Sequence, residues 1–174
     1  MMKASSVLRA AAAIRYCLEE ETVLSELISA EAKSWIGREA EPIRVEVSRR
    51  DIVKYSIATE QRQEKYLRGD EAPSMFMFGA LRPVVPMDTL GPDGIAAESF
   101  LPDLPLKRVM AGGTEMTFHR PVKPGDVLIA TRSLHDLIEK QGKSGPLIFV
   151  VQILRVETEA GELVLEEKQT RILR

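Results

Sequence analysis

The sequence contains very little cysteine and few aromatic side chains. Its 174 residues include one cysteine, Cys17, and aromatic residues make up 5% of the chain. A single cysteine excludes a disulfide within the chain and a metal cluster built on cysteine ligands, and it fits a reducing compartment. We therefore expect a cytoplasmic protein without a metal site.

The sequence also lacks an excess of charge of one sign and lacks long hydrophobic runs. Lysine and arginine total 24, aspartate and glutamate total 26, and the formal net charge is -2. Nucleic-acid binders usually carry a basic excess on one face, so this composition argues against a nucleic-acid partner. No apolar run approaches the roughly 20 residues that cross a bilayer, so we expect no membrane partner.

What the sequence does contain is the composition of one folded domain with an appended N-terminal segment. A chain of 174 residues with 44% hydrophobic residues can bury a core of ordinary size. Apolar residues from Val7 to Leu18 recur at the spacing of one helix face, and Gly37 is typical of the residue after a helix. The pattern predicts an N-terminal helical extension, residues 1–35, and a single domain over residues 36–174.

A strand and a helix open the predicted domain. Hydrophobic and charged residues alternate from Ile43 to Val47, which predicts a half-buried strand. Ser48 precedes Asp51 by three residues, and this spacing resembles a capping box with Asp in place of Glu or Gln. The sequence therefore predicts a short helix over residues 50–58.

Three segments without clear periodicity follow. Residues 61–71 are polar, which predicts a loop. Residues 72–81 are apolar and begin near a proline, and they form either a buried strand or a short buried helix, because periodicity does not separate the two in so short a run. Residues 82–113 are rich in proline and glycine, which predicts a long irregular connection that either covers a binding site or only shields a sheet edge.

The last 60 residues alternate between apolar runs and turn signals. Proline and glycine mark turns at 121–126 and 142–146, and a glycine marks a hairpin at 159–162. The run 147–154 is apolar on both faces, as expected for a central, fully covered strand. Helices followed by an antiparallel meander indicate an α+β domain whose sheet wraps helical material. The predicted strands are 116–119, 127–134, 147–154, 163–165 and 170–173.

The segment from Gly112 to Asp126 carries the most specific motif. It reads G-G-T-E-M-T-F-H-R-P-V-K-P-G-D, which resembles a segment of the MaoC-like dehydratases, the R-specific enoyl-thioester hydratases. Residues 140–149 and 161–164 resemble a turn and a hairpin of the N-terminal, FAS1-like half-domain of that family. The resemblance covers about residues 36–174 and implies a hot-dog fold, in which a long antiparallel sheet wraps around a helix.

The resemblance also implies a catalytic pair that this sequence lacks. In the family an Asp and a His five residues apart activate a water against the double bond of the thioester, and both groups must reach the same water. The residues five before His119 and His135 are Thr114 and Ala130. The sequence therefore predicts no catalytic residue in this chain.

What the resemblance implies is a binding subunit rather than a complete enzyme. The chain would be the acyl-thioester-binding subunit of an enoyl-CoA hydratase or 3-hydroxyacyl-thioester dehydratase, with the dyad supplied by a partner. Its substrate would carry a CoA or acyl-carrier-protein thioester, so no separate cofactor is expected. We expect a homodimer, or a heterodimer with a catalytic MaoC-like subunit, formed edge to edge between sheets.

Two alternatives remain open. The chain would also fit a catalytically inactive homodimeric acyl-CoA-binding protein of the hot-dog fold. A hot-dog thioesterase is a third possibility, but that chemistry needs an acidic residue on the central helix, and residues 73–83 contain none.

Eight residues are candidates for substrate binding under this resemblance. Backbone N–H groups at two glycines would approach the thioester carbonyl. A histidine, an arginine and a lysine would meet the thioester or the phosphates of its carrier, and apolar side chains would line an acyl tunnel. Each also has a structural explanation as a tight turn, a solvated charge or core packing. The candidates are Gly112, Gly113, His119, Arg120, Lys143, Met75, Phe76 and Phe78.

Overall fold

The computed structural model describes residues 27–82, 84–91 and 100–174. Short helices precede a set of long strands, as the sequence predicts. The helices are α1 (Ala30–Lys33), α2 (Arg49–Ala58), α3 (Glu64–Leu67) and α4 (Phe76–Ala80), with a 3-10 turn at Met87–Thr89. The strands are β1 (Ile43–Glu46), β2 (Val109–Phe118), β3 (Val127–Gly142), β4 (Gly145–Thr158) and β5 (Leu163–Leu173).

The strands form one antiparallel sheet in the order β1-β3-β4-β5-β2. This is the hot-dog fold that the sequence predicts, and β4 lies at its centre. The strands β3 and β4 continue beyond the predicted 127–134 and 147–154, because their polar ends still pair across the hairpin as far as Gly142 and Gly145. The last strand, predicted from residues 163–165 and 170–173, is continuous in β5, because residues 166–169 also pair with β2 and β4.

Two of the predicted loops are partly wrong. Residues 61–71 contain α3, and residues 109–113 belong to β2 rather than to the preceding connection. Pairing between β2 and β5 shifts register between Ala111 and Gly113. Gly112 is the extra residue at this bulge, and a Cβ atom there would lie 2.9 Å from the carbonyl oxygen of Thr170. The two glycines are therefore part of a bulged strand, not a turn before a strand.

The cap of α2 agrees with the sequence prediction, and α1 has a serine cap that was not predicted. The hydroxyl of Ser48 accepts a hydrogen bond from the backbone N–H of Asp51 at 3.1 Å and donates one to its carboxylate at 2.6 Å. The hydroxyl of Ser29 caps α1 in the same way. Helix α1 ends at Lys33, two residues before the predicted limit, and Gly37 follows with a φ of +86°. Most of the predicted helical extension lies outside the described residues.

The α4 segment resolves the ambiguity over residues 72–81, because it is a short helix that lies on the sheet. Two hydrophobic clusters flank the middle of this covered face. The first cluster includes Val47, Ile52, Phe76, Met77, Val122, Leu128, Ala130, Leu154, Val156, Val164 and Leu165. The second cluster includes Ile28, Ala32, Leu104, Leu134, Leu137, Ile148, Val150 and Leu173.

Among the described residues, no helix is long and apolar enough to span a membrane.

Candidate functional site

A cavity of about 400 Å³ lies beside α4 and brings several predicted site residues together. His119 and Arg120, which follow β2 directly, form part of its wall, and Met77 of α4 lines it as well. The prolines at 73 and 121 fix the two chain segments that meet there. The cavity is lined by Tyr66, Glu71, Ala72, Pro73, Ser74, Met77, Phe118, His119, Arg120, Pro121 and Val122.

The predicted acyl-lining residues take different positions around α4. Phe76 is buried and meets Tyr55 edge to face, with ring centroids 5.6 Å apart. Phe76 and Tyr55 also line a second cavity, of about 530 Å³. Met75 and Phe78 are exposed, and the guanidinium of Arg82 lies 4.5 Å from the ring centroid of Phe78. Of these three predicted residues, Phe76 alone belongs to a core cluster.

Arg120 is held by acidic side chains. Its Nη1 and Nη2 donate to the two carboxylate oxygens of Asp126 at 2.8 and 3.2 Å, and its Nε donates to Glu162 at 3.2 Å. Asp126 also accepts a hydrogen bond from the backbone N–H of Lys123 at 2.8 Å. Burial by itself would raise the pKa of Asp126, but the hydrogen bonds from Arg120 and Lys123 and the charge of Arg120 lower it. This arrangement fixes the 121–126 turn at the rim of the cavity.

His119 has an exposed side chain on the cavity wall, and its backbone N–H donates to the carbonyl of Val164 at 2.9 Å. No carboxylate of the described residues forms a hydrogen bond or ion pair with its imidazole. The described residues also contain no group of three or more His, Cys, Asp or Glu side chains placed to hold a metal ion.

The remaining candidates lie away from this cavity. Gly112 and Gly113 occupy the bulge of β2, beside Thr170 on β5. Lys143 is exposed in the β3–β4 hairpin, at the opposite end of β3 from the 121–126 turn. Sixteen strand residues separate the two ends, which corresponds to roughly 50 Å at 3.3 Å per residue.

A band of polar side chains crosses the covered face of the sheet between the two hydrophobic clusters. Residues opposite each other in register share a face, and Leu154 of the first cluster lies opposite both Arg132 and Glu167. Gln152, two residues before Leu154, lies opposite Gln169. Gln152 is 1% exposed and Glu167 is 4% exposed. We call this band the polar belt; it consists of Arg132, Gln152, Glu167, Gln169 and Arg171.

Amide side chains connect most of the polar belt. Nη1 of Arg132 donates to Oε1 of Gln152 and to Oε1 of Gln169, both at 3.4 Å. Nε of Arg171 donates to the same Gln169 oxygen at 3.2 Å, and Nε2 of Gln152 donates to the carbonyl of Phe100 at 3.2 Å. The amides therefore serve mainly as acceptors for the arginines.

The charges of Arg132 and Glu167 attract each other without contact. Burial raises the pKa of Glu167, and the positive charge of Arg132 opposes this. Burial lowers the pKa of Arg132, and the charge of Glu167 opposes that. Within the described part of the chain no ion pair joins the two groups, and Glu167 makes no side-chain hydrogen bond.

The polar belt was not predicted from the sequence. Its signal was polar residues at the inward positions of apolar strands: Arg132 is in phase with Leu128 and Leu134, and Gln152 is in phase with Val150 and Leu154. Period-two alternation assigns these positions to the core, so a charge or an amide there is the observable anomaly.

Comparisons with known proteins agree with the fold. Residues 34–167 match the family model described as the FAS1-like dehydratase domain region. The chain is 27% identical over 150 residues to a mesaconyl-C(4)-CoA hydratase of Chloroflexus aurantiacus, which covers 84% of this chain and 52% of that protein. The chain thus spans about half the length of this curated relative.

Solved structures with the same fold include dehydratases. The HadBC complex, a 3R-hydroxyacyl-ACP dehydratase of Mycobacterium tuberculosis, matches with a TM-score of 0.56 and 18% identity over 79% of this chain and 96% of that chain. The ChsH1-ChsH2 complex of the same organism matches with a TM-score of 0.54 and 19% identity over 83% and 87%. A MaoC-like dehydratase of Rhodospirillum rubrum matches with a TM-score of 0.53 and 18% identity over 79% and 91%. Because the family model matches most of the chain and the hot-dog sheet agrees with these structures, the chain belongs to the FAS1-like dehydratase domain family within the MaoC-like hot-dog dehydratases.

Proposed function

We propose that this chain is the acyl-thioester-binding subunit of an enoyl-CoA hydratase or 3-hydroxyacyl-thioester dehydratase, and that a partner subunit supplies the catalytic Asp/His dyad. The observation that carries the proposal is a dehydratase-family chain whose histidines, His119 and His135, both lack an aspartate five residues earlier. Addition of water to an enoyl-thioester needs a general base and a general acid that reach the same water. The cavity wall offers His119 without a carboxylate partner.

The length of the curated relative supports a second unit. The match covers 52% of that hydratase, so about half of it has no counterpart in this chain. A hot-dog unit is about the size of the 36–174 domain, and the unmatched half is long enough to hold one. Since mesaconyl-C(4)-CoA is a CoA thioester, the relative also supports an acyl-thioester as the ligand class.

The free edge of β2 offers a place for the partner. Within the described residues β2 pairs only with β5, so its other side presents unpaired backbone groups over ten residues. Glu115 is the one charged residue on this strand, and Val109 and Phe118 are exposed. A long edge strand with little charge tends to pair with another strand, and natural proteins usually protect such an edge. We propose edge-to-edge sheet pairing here, isologous in a homodimer.

The cavity beside α4 lies next to this edge, because Phe118 ends β2 and lines the cavity. A thioester bound there would be within reach of groups that a partner places along β2. Met77 of the cavity wall and the adjoining Phe76 would contact the acyl chain. His119 would bind the thioester or its carrier.

Reconstitution tests the proposal. The purified chain should not hydrate crotonyl-CoA by itself, and hydration should appear when a MaoC-like partner of roughly 150 residues that carries the D-x-x-x-x-H motif is added. The matched control is the same partner with its motif His replaced by Ala, which should remove activity. Turnover by the chain alone that disappears in His119→Ala would refute the proposal and make His119 catalytic.

The same preparation separates the alternatives. A catalytically inactive acyl-CoA-binding homodimer would purify without a MaoC-like partner and would stay inactive after one is added. A thioesterase would release free CoA from an acyl-CoA without any partner. The thioesterase is the least favoured of the three, because α4, which packs on the sheet through Phe76 and Met77, contains no acidic residue.

A further inference from the structure

Polar side chains on the covered face of a sheet are costly unless they have strong partners. The polar belt meets this requirement only in part. The two hydrogen bonds of Arg132 are both 3.4 Å long and come from one nitrogen, Nη1, although a guanidinium carries five N–H donors. Within the described residues, the other nitrogens of Arg132 make no hydrogen bond.

Glu167 is the second incompletely paired group of the belt. Glu167 is 4% exposed, and its carboxylate has no hydrogen-bond partner among the described residues. Within the described residues, every fully buried polar side-chain atom has a hydrogen-bond partner. Because the carboxylate oxygens of Glu167 have none, they must keep some solvent-accessible surface. Arg132 and Glu167 thus lie in one row of the covered face, on either side of Leu154, and each keeps hydrogen-bonding capacity that no described residue uses.

We propose that the polar belt binds a carboxylate at the far end of the acyl chain, which makes thioesters of dicarboxylic acids the substrate class. This inference rests on the proposed acyl-thioester-binding function and specifies its ligand. The planar guanidinium of Arg132 binds the ligand carboxylate through its free N–H groups, because the fork geometry of arginine matches a carboxylate.

Glu167 contributes to the same recognition. Burial raises the pKa of this residue, which favours the protonated carboxyl, and a protonated carboxyl is a hydrogen-bond donor. When it is protonated, its O–H can donate to the ligand carboxylate while Arg132 supplies the positive charge. The chemistry is binding alone: no covalent bond forms or breaks.

The position of the belt relative to the cavity fits a thioester bound at one end and a carboxylate at the other. Phe118 lines the cavity beside α4, and Met116 is two residues earlier on the same face of β2. Met116 lies opposite Glu167. Two residues along a strand span roughly 7 Å. The row of side chains that contains Met116 and Glu167 is therefore next to the row that contains Phe118, at a distance that a short acyl chain can span.

A plain alkyl chain is a poorer match to the polar belt. Placing methylene groups against Arg132 and Glu167 would remove water from a charged group without giving it a partner. Discrimination of this kind is strong, because a site built for a polar group penalises an analogue that lacks it. We therefore expect selection against unsubstituted acyl chains of equal length.

Succinyl-CoA and butyryl-CoA test the inference, because both carry four-carbon acyl groups and differ in the terminal carboxylate. Calorimetry on the full chain should show succinyl-CoA binding about tenfold or more tightly. Arg132→Gln should abolish most of that preference, mainly by weakening succinyl-CoA binding, and Arg132→Lys should restore part of it because the charge returns without the fork.

Arg155→Gln is the matched control. Arg155 is an exposed arginine of β4, in ion pairs with Glu157 and Glu166, and lies outside the polar belt. Its loss should leave both affinities unchanged. Thermal unfolding of each variant checks folding. If Arg132→Gln is unfolded, the succinyl-CoA preference of the wild type and of Arg132→Lys still tests the proposal.

The outcomes separate the two proposals. Equal binding of the two thioesters, or a preference that survives Arg132→Gln, overturns the carboxylate site and leaves the acyl-thioester function standing. If neither thioester binds, free succinate is the second probe. Succinate that raises the melting temperature of the wild type but not of Arg132→Gln keeps the carboxylate site and refutes thioester binding by this chain, and no effect of succinate overturns both.

Discussion

Replacing Asp126 by Ala should destabilise the protein substantially. Asp126 and Arg120 are each only about one-fifth exposed, at 19% and 21% of their side-chain surface. The change removes two hydrogen bonds between the side chains and the one from the backbone N–H of Lys123, and it leaves a guanidinium largely enclosed. Pairs that are fully buried cost about 3–5 kcal/mol when one partner is removed, and partial exposure reduces this to about 2–3 kcal/mol.

The expected assay result follows from that free energy of unfolding. For a chain of this size each kcal/mol shifts the melting temperature by about 2–4 °C, so Asp126→Ala should lower it by roughly 5–10 °C. Asp70→Ala is the matched control, because Asp70 pairs with Arg49 at the surface with 52% of its side chain exposed. That control should change the melting temperature by at most about 2 °C.

The pH dependence gives an independent check. The pKa of Asp126 is lowered in the folded protein, so the carboxylate stabilises the fold above its unfolded pKa of about 3.9. The stability difference between wild type and Asp126→Ala should be constant from about pH 5 to 7 and shrink as the pH falls below about 4. A melting temperature within 2 °C of wild type at pH 7, or a difference that grows in acid, would refute the reasoning.

Three further predictions concern the belt, the bulge and the assembly. Glu167→Gln should raise the melting temperature at pH 7, because burial raises the pKa of Glu167 and the ionised carboxylate opposes folding. The gain should fade as the pH approaches about 4. A gain that persists at that pH would contradict the prediction. Gly112→Ala should cost about 1–3 kcal/mol in chemical denaturation, because the new Cβ would lie 2.9 Å from the Thr170 carbonyl, whereas Thr117→Ala on the same strand should be nearly neutral. Sedimentation should show a dimer that buries more than roughly 2,000 Å² in total, and a stable monomer at micromolar concentration, with a melting temperature unchanged on dilution, would contradict the edge-pairing proposal.

Local chemistry made much of the fold predictable. Ser48 and Asp51 satisfy each other's hydrogen bonds within four residues, so the start of α2 depends on nothing distant. The strands β3 to β5 are neighbours along the chain and are joined by short turns, so their order follows from the turn signals. Predictions based on such local interactions agree with the structure.

The predictions that failed depend on distant contacts. The segment 109–113 contains two glycines and little hydrophobic pattern, and it is a strand because β5 is available to pair with it. Its partners are about 60 residues away in the chain, and no local signal reports them. The prediction that residues 109–113 belong to the preceding irregular connection was wrong for this reason.

The candidate site shows the same division. His119 and Arg120 were found through the motif that contains them, and the structure places both on one cavity wall. The ion pair between Arg120 and Glu162 depends on tertiary packing, because the two residues are 42 positions apart in the chain. Arg132 and Glu167 were not predicted because they lie in different strands, and only the register of the sheet places them in one row, on either side of Leu154.

The sheet order has a consequence for how the protein folds. The β3–β4 and β4–β5 pairs close through short turns, whereas β2 must close a long loop to pair Val109 with Leu173. Loop closure costs more entropy as the loop grows, so the β3–β5 meander should form early and β2 should join late. Pulse-labelled hydrogen exchange would show this as delayed protection of Thr114 to Thr117 relative to Val150. A partner that pairs with the free side of β2 would then meet the strand that is ordered last, and assembly with the partner would also complete folding.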